Sequence, residues 1–421
     1  MLVFILDSKN IAAAKKTERS VQSAIPDCSC VLIEFDYAMQ MNQILAGYNE
    51  PFFLAFFAGE QLEPGFQNQL EHWISRISDH DAGIVIDTEA NPSRGPFLWR
   101  TSAVKSGTSP GFRTAELLPF ERYVLLDKQY ELEGEWEFNL RKSNKWLPRP
   151  KSNEGWRKLG SEEGFILPIL QLKHDDEPPA IHPYITVVIC SFNDADYLLW
   201  AVRSVCMQSY QAWELMIVDD GSTDGTHEKW LASPYSSHPR IRFFRNETNK
   251  GKAFRLNRAL HAANGKWLLE LDSDDWLDAA CLQTLVDQSA VSPEAGVIYA
   301  DHVNWHERRD KSLVLSVPQY DQSQMTADKL LRDALPLAPR MYSIQAISAL
   351  GGWSVDDPFQ GRLYEDFQML ARIMLCRPVS YIPKTLYHRR IRLLSVTHRH
   401  PDCYKTWTRW MLDFIRPEIE H

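Results

Sequence analysis

The chain of 421 residues is too long for one ordinary domain and has room for two or three, each able to bury a core. A net charge of −9 excludes a nucleic-acid-binding surface as the main business, and it suits an anionic ligand only where a metal ion or a local basic cluster intervenes. Seven scattered cysteines without a Cys-x-x-Cys pair argue for reduced, buried thiols rather than a disulfide frame or a zinc site.

Leu2-Val-Phe-Ile-Leu6 reads as a strand, with no basic stretch before it and no cleavage signature, so no signal peptide is expected. The most apolar internal run, 51–59, is far too short to cross a bilayer, and a cytoplasmic location is the expectation. From 141 to 183 the chain carries Lys-Ser-Asn, Pro-Arg-Pro and Asp-Asp-Glu-Pro-Pro, which are linker signals around one apolar island at 165–170. Beyond it, Ile185-Thr-Val-Val-Ile-Cys190 suits a buried parallel strand. A helix follows, with Leu198, Val202, Val205 and Met207 on one side, then a strand at 215–218 ending in Asp219-Asp220-Gly221-Ser222. A strand at 241–245, a helix at 253–263 and a strand at 267–271 lead into Asp272-Ser-Asp-Asp275. Strands alternating with helices predict a doubly wound parallel sheet whose ligands bind beyond the carboxyl ends of the strands, where both acidic clusters fall. The expected domains are 1–140, a linker 141–183, 184–400 and a C-terminal amphipathic helix in 401–421.

Asp272-x-Asp274 offers hard oxygen ligands that suit Mg²⁺ or Mn²⁺ rather than zinc. The plainer reading is a helix cap, since Asp is favoured at the positive end of the helix dipole. The Asp-Gly pair at 220–221 is likewise a common turn.

Taken together, Ile189-Cys-Ser-Phe-Asn193, Ile217-Val-Asp-Asp-Gly-Ser-Thr-Asp224, Asn249-Lys-Gly251 and Leu269-Glu-Leu-Asp-Ser-Asp-Asp-Trp276 resemble the ordered motifs of family 2 glycosyltransferases. Gly351-Gly352-Trp353, Tyr364-Glu365-Asp366 and Arg390-Ile-Arg-Leu-Leu-Ser-Val-Thr397 resemble that family's later motifs. The resemblance implies a GT-A-type doubly wound, mostly parallel sheet and an inverting, metal-assisted transfer of sugar from a UDP-sugar to a hydroxyl acceptor such as a cell-surface polysaccharide. By the same resemblance Asp220 meets the nucleotide base, Asp219 orients its turn, Cys190 and Asn193 line the donor site, and Asp272 lies near the ribose and the metal. Asp274 ligates Mn²⁺ or Mg²⁺, and Asp366 is the base for the acceptor hydroxyl; Asp275 is either a cap or a second contact. One departure stands out: Arg392 occupies the place of a His that can complete the family's metal site, with Arg390 two residues before. An Arg cannot ligate a cation but can grip a diphosphate. His388 or His398 is then left as a nearby ligand or as an ordinary packed or surface His.

The first block echoes the second. Val3 to Asn10 reads like Thr186 to Asn193, Val31 to Asp36 like Leu215 to Asp220, and Asn42 to Phe66 lies ungapped against Asn257 to Cys281. Asp81-Ala-Gly-Ile-Val resembles Glu294-Ala-Gly-Val-Ile, and Asp127 follows the spacing of Asp366. Phe57 and Gly59 then stand where Asp272 and Asp274 stand, which reads as a degenerate copy used for packing, homodimer formation or acceptor recognition. The rival is an unrelated αβ domain with chance likeness. Trp407, Trp410, Met411 and Phe414 fall at helical spacing within 403–415, as a stripe that either packs internally or touches the inner face of a membrane. A sugar-phosphate nucleotidyltransferase is disfavoured because no Gly-rich loop follows the strand at 185–190. A non-catalytic nucleotide-sugar-binding scaffold is the alternative from another class.

Overall fold

The computed structural model describes residues 1–86, 94–106, 109–114, 117–118, 120–149, 163–171, 184–309, 311–318, 322–392 and 403–419. The chain divides into two compact units, Met1–Gln171 and Leu172–His421. The boundary therefore falls later than residue 140, and the segment expected as linker contributes a strand and a helix to the first unit.

The first unit runs β1 (Leu2–Leu6), α1 (Ile11–Ala24), β2 (Ser29–Ile33), α2 (Tyr37–Ala46), β3 (Phe52–Phe57), β4 (Gln61–Leu62), α3 (Phe66–Ile74), β5 (Asp81–Ile86), β6 (Leu98–Arg100), α4 (Thr101–Ser106), α5 (Val124–Leu132), β7 (Glu137–Arg141), β8 (Trp146–Leu147) and α6 (Glu163–Gln171). Its main sheet has the order β2-β1-β3-β6-β5-β7, with β6 antiparallel to both neighbours. Strands β1 and β3 are buried at every position, as continuous apolar runs in the centre of a sheet must be. One face packs Val3, Ile5, Leu54 and Phe56 against Ala14 and Val21 of α1 and Phe66 and Leu70 of α3.

The second unit runs β9 (Ile185–Ser191), α7 (Leu198–Cys206), β10 (Trp213–Asp219), α8 (Thr226–Ala232), β11 (Ile241–Arg245), α9 (Lys252–Ala262), β12 (Trp267–Asp272), β13 (Trp276–Leu277), α10 (Cys281–Val291), β14 (Val297–Glu307), β15 (Leu313–Ser316), α11 (Ala327–Asp333), β16 (Arg340–Ser343), α12 (Ile344–Ala349), α13 (Glu365–Cys376), β17 (Val379–Ile391) and α14 (Cys403–Ile419). The sheet order is β11-β10-β9-β12-β16-β14-β17-β13, with β15 added to β14 and β16 antiparallel to both neighbours. The α/β doubly wound, mostly parallel sheet expected from the sequence is thus present. Helix α14 buries Trp407, Met411 and Ile415 in the same core as Met369, Leu370 and Ile373 of α13. The aromatic stripe is thus spent largely on packing, with Trp410 and Phe414 partly buried against that core. No helix among the described residues is long and apolar enough to cross a membrane.

Without β11, β13 and β15, the second sheet reads β10-β9-β12-β16-β14-β17, strand for strand the order of the first. The likeness reaches single side chains. Asn42 donates from Nδ2 to the Phe112 carbonyl at 2.9 Å and accepts the Phe112 amide at 2.8 Å. Asn257 makes the same pair with Trp353 at 2.7 and 2.9 Å. Before each aromatic stands a glycine at positive φ, Gly111 (85°) and Gly352 (78°). A Cβ on either would lie 2.5 or 2.4 Å from the Asn oxygen. The ungapped alignment that matches Asn42 with Asn257 keeps Phe57 against Asp272 and Gly59 against Asp274. It moves the first echo by one residue: Leu6 pairs with Phe57 as Cys190 pairs with Asp272, so Leu6 rather than Asp7 stands for Cys190. Strand pairing fixes that register, and the shared Ser and Asn were a misleading guide to it.

Candidate active site

Parallel pairing brings the ends of three strands level, with Asp219 opposite Ser191 and Cys190 opposite Asp272. The turn after β10 is built by Asp219, whose Oδ1 accepts the Ser222 hydroxyl and, at 3.3 Å, the Ser222 amide; Arg245 Nε lies 3.5 Å from Oδ2. Asn193, at φ 57°, ties the β9 loop to that turn by accepting the Thr223 amide at 2.8 Å. A depression of about 450 Å³ lined by Gly221, Ser222, Thr223, Arg245, Asn246 and Glu247 opens beside it, two strands away from β12.

Asp220 is turned inward. Its carboxylate is fully buried and accepts Asn246 Nδ2 at 2.8 Å, the Lys250 amide at 3.0 Å and the Gly251 amide at 2.9 Å. Both oxygens thus help to shape the 246–251 loop. The Cys190 thiol packs in the apolar core, and burial pushes it up to about 12.

The acidic motif after β12 spreads over three different environments. Asp272 Oδ1 lies 2.5 Å from Lys252 Nζ. Burial raises its carboxyl, but Lys252 and Arg340 outweigh that and hold it well below the usual range. Asp274 Oδ2 sits 2.6 Å from Arg392 Nε. Burial, Arg392, and the like charges of Asp194 and Asp272 leave its carboxyl raised to about 6. Asp275 is no helix cap, since the short strand β13 follows it. It accepts the Tyr387 hydroxyl at 2.8 Å and the Arg390 amide at 2.6 Å, fastening the end of β17 to the motif.

Arg390 is held on several sides. Its Nε donates to the Asp274 carbonyl at 3.0 Å and its Nη1 to Glu307 at 3.0 Å, and it lies over the Tyr197 ring at 4.7 Å. A guanidinium so bound and buried is a strut for the motif, not a free grip for a diphosphate. Arg392 is more open, bridging Asp274 and Asp194, the latter at 2.9 Å. His388 is buried, accepts Trp305 Nε1 on Nδ1 at 3.1 Å and stacks on Trp276, so it serves packing and not the metal. His398 and residues 393–397 of the final motif lie outside the described residues.

Asp366 stands in the first turn of α13, where the helix dipole favours a carboxylate. Its Oδ1 accepts the Phe367 amide at 2.9 Å, and its Oδ2 is 3.9 Å from Arg340 Nη1. Arg340 in turn binds both oxygens of the buried Glu270, at 2.9 and 2.6 Å. Lys252 completes the connection, reaching Glu270 at 2.8 Å, Asp272 at 2.5 Å and Glu365 at 3.1 Å. Lys252, Asp194, Arg340 and Glu365 were not singled out from the sequence. Two of them directly follow quoted motifs, at Gly251 and Asn193, but a charge beside a motif is usually a solvated neighbour.

Among the described residues no group of three or more His, Cys, Asp or Glu side chains is arranged to hold a metal. Asp272 and Asp274 nonetheless each keep one carboxylate oxygen outside their ion pairs with Lys252 and Arg392, which are oxygen donors of the kind a divalent ion takes. Mg²⁺ and its like are commonly held by one or two carboxylates, with substrate phosphates and water completing the shell. The donor set fits that pattern.

Residues 186–340 match Glycosyl transferase family 2. Chondroitin synthase of Escherichia coli is 26% identical over 212 residues, 49% of this chain and 29% of that protein. The putative teichuronic acid biosynthesis glycosyltransferase TuaG of Bacillus subtilis is 42% identical over 94 residues, 22% of this chain and 36% of that protein. The chain thus spans about a third of the length of these relatives. Among solved structures, S. aureus TarS 1-349 in complex with UDP-GlcNAc aligns with 55% of this chain and 66% of its own at 19% identity and a TM-score of 0.43.

Proposed function

We propose that the second unit, whose residues 186–340 match Glycosyl transferase family 2, moves a sugar from a uridine-linked diphosphate donor to a hydroxyl of a glycan acceptor, with inversion. The observation that carries this reading is the connection of Asp272 to the start of the helix that bears Asp366, made by Lys252 through Glu365 and reinforced by Arg340 between Glu270 and Asp366. Residues nearly a hundred positions apart are thereby set for a single displacement. Asp366 takes the acceptor proton, the freed oxygen forms a bond to the anomeric carbon, and the bond to the β-phosphate oxygen breaks. The nucleoside diphosphate leaves with the electron pair, and one displacement inverts the centre. Asp274, with Asp272 beside it, would hold Mn²⁺ or Mg²⁺, which supplies charge to offset the leaving diphosphate. Arg392, more open than Lys252 and Arg390, exchanges its carboxylate partners for a phosphate oxygen. Relatives named for chondroitin and teichuronic acid support a polysaccharide as acceptor.

The test is a panel of UDP-sugars with Mn²⁺ or Mg²⁺, read by release of UDP and by thermal shift. At least one donor should raise the melting temperature only with metal, and Asp274→Asn should remove that rise. Equal stabilisation in excess chelator, in wild type and variant alike, would overturn the metal assignment. Failure of every sugar nucleotide to bind or turn over would overturn the function.

A further inference from the structure

Lys252 is the cation on which the donor motif and the helix of the base converge. It opens α9, directly after a loop whose amides at Lys250 and Gly251 are held by the buried Asp220. Its ammonium lies 2.8 Å from Glu270 and 2.5 Å from Asp272, both on β12, and 3.1 Å from Glu365, the first residue of α13. Two of these partners are nearly fully buried, with Glu270 2% exposed and Glu365 6%. Arg340 satisfies Glu270 from its other side and approaches Asp366 at 3.9 Å. Two cations therefore hold four carboxylates, and Lys252 is the one that reaches from Asp272 to α13.

Resting on the proposed transferase function, we infer that Lys252 is a positioning residue that fixes the spacing between the donor motif and the base. The physical reason is charge in a site poor in water. Without the ammonium, Asp272 and Glu365 would face each other across a gap that it now spans, and like charges in a low dielectric repel strongly. The start of α13 is the softer side of that gap, because Asp272 is anchored in the sheet through its pairing with Cys190. Relief of the repulsion therefore moves Glu365 and the adjacent Asp366. Reaction rates fall steeply when a base is displaced by about 1 Å.

The experiment compares Lys252→Met, Lys252→Arg, Glu365→Gln and the double variant Lys252→Met/Glu365→Gln in the full chain, with the best UDP-sugar donor and Mn²⁺. Lys252→Met should lower kcat by roughly 10²-fold with donor KM changed less than about threefold, and Lys252→Arg should recover a large part of kcat. The double variant should fall short of the sum of the two single losses, because both remove one link. A rise in donor KM with kcat unchanged would make Lys252 a donor contact and overturn the inference. Unchanged kinetics with a lowered melting temperature would make it merely structural and overturn it equally. If wild type turns over no donor, the function fails. The same four proteins then test the link by itself: additive melting-temperature losses would refute a coupling between Lys252 and Glu365.

Discussion

Asp366 and His388 show how differently one second unit treats two titratable side chains. Asp366 sits at a helix start with one oxygen on the Phe367 amide and the other only loosely matched to Arg340. Replacing it by Asn keeps the shape and the helix contact but removes the proton acceptor. Turnover should fall by roughly 10²-fold or more while donor affinity, followed by thermal shift or calorimetry, stays nearly constant. A collapse of donor binding with turnover of bound donor preserved would make Asp366 a donor-site residue instead. His388 is buried among Trp276 and Trp305, and burial holds it down to about 3; His302 is held down to about 4 by burial and by Arg389. An unfolded His titrates near 6.5. Below that pH the unfolded chain gains protons that the folded chain refuses, so stability is lost as pH falls from about 6.5 toward 4. Urea midpoints should drop over this window, and less steeply in His388→Gln, which keeps an acceptor for Trp305 but cannot titrate. Parallel slopes for the two proteins would show that His388 does not contribute.

Elements explain why the site is rigid and where it is vulnerable. The turn at Gly352 closes on Asn257 of α9, so a methyl group there meets both an unfavourable φ and the Asn oxygen at 2.4 Å. Gly352→Ala should destabilise the second unit by roughly 1–3 kcal/mol. Gly111→Ala should do the same in the first, where the oxygen of Asn42 lies 2.5 Å away. Denaturant titration of each variant would reveal any asymmetry, and a neutral Gly111→Ala would weaken the case that both units keep one inherited clamp. Helix α14 is another such element. Trp407 is fully buried, with its ring 5.2 Å from Tyr364 and 5.8 Å from Tyr404, so Trp407→Ala should cost about 3–5 kcal/mol. Because Tyr364 caps α13 just before Asp366, activity should fall with that loss.

At the scale of the whole molecule, the two sheets share one order over six strands but differ in the charges at their strand ends. In the first unit Phe57 and Gly59 replace the two carboxylates, and Glu60, at the position of Asp275, is buried against Arg94 Nε at 2.9 Å. Arg94 lies over Phe56 and Trp146, each at 5.7 Å, and so packs an organic cation into the corresponding corner. Calorimetry on the full chain should accordingly find one donor molecule per chain. Asp272→Asn/Asp274→Asn should abolish binding altogether, with no residual site to contribute. Two equivalents of bound donor would end the view that the first copy is inactive.

The apolar runs at 185–190, 215–218 and 267–271 determined by themselves that the second unit is a doubly wound sheet, because a strand covered on both faces must be apolar throughout. Motif order fixed which carboxylates would lie at the strand ends, and in the first unit the absence of Asp at 57 and 59 was plain from the letters alone. Tertiary structure decided what each charge does. Asp220 turns inward to loop amides, Arg390 braces Asp274, His388 enters an aromatic core, and Lys252 becomes the hub between Asp272 and Glu365. The reason is that apolar burial follows local pattern, whereas a charged side chain takes its role from its partner. Those partners stand here 20 to 198 positions away, as Lys252 with Asp272 and Arg392 with Asp194 show, a separation that only folding closes.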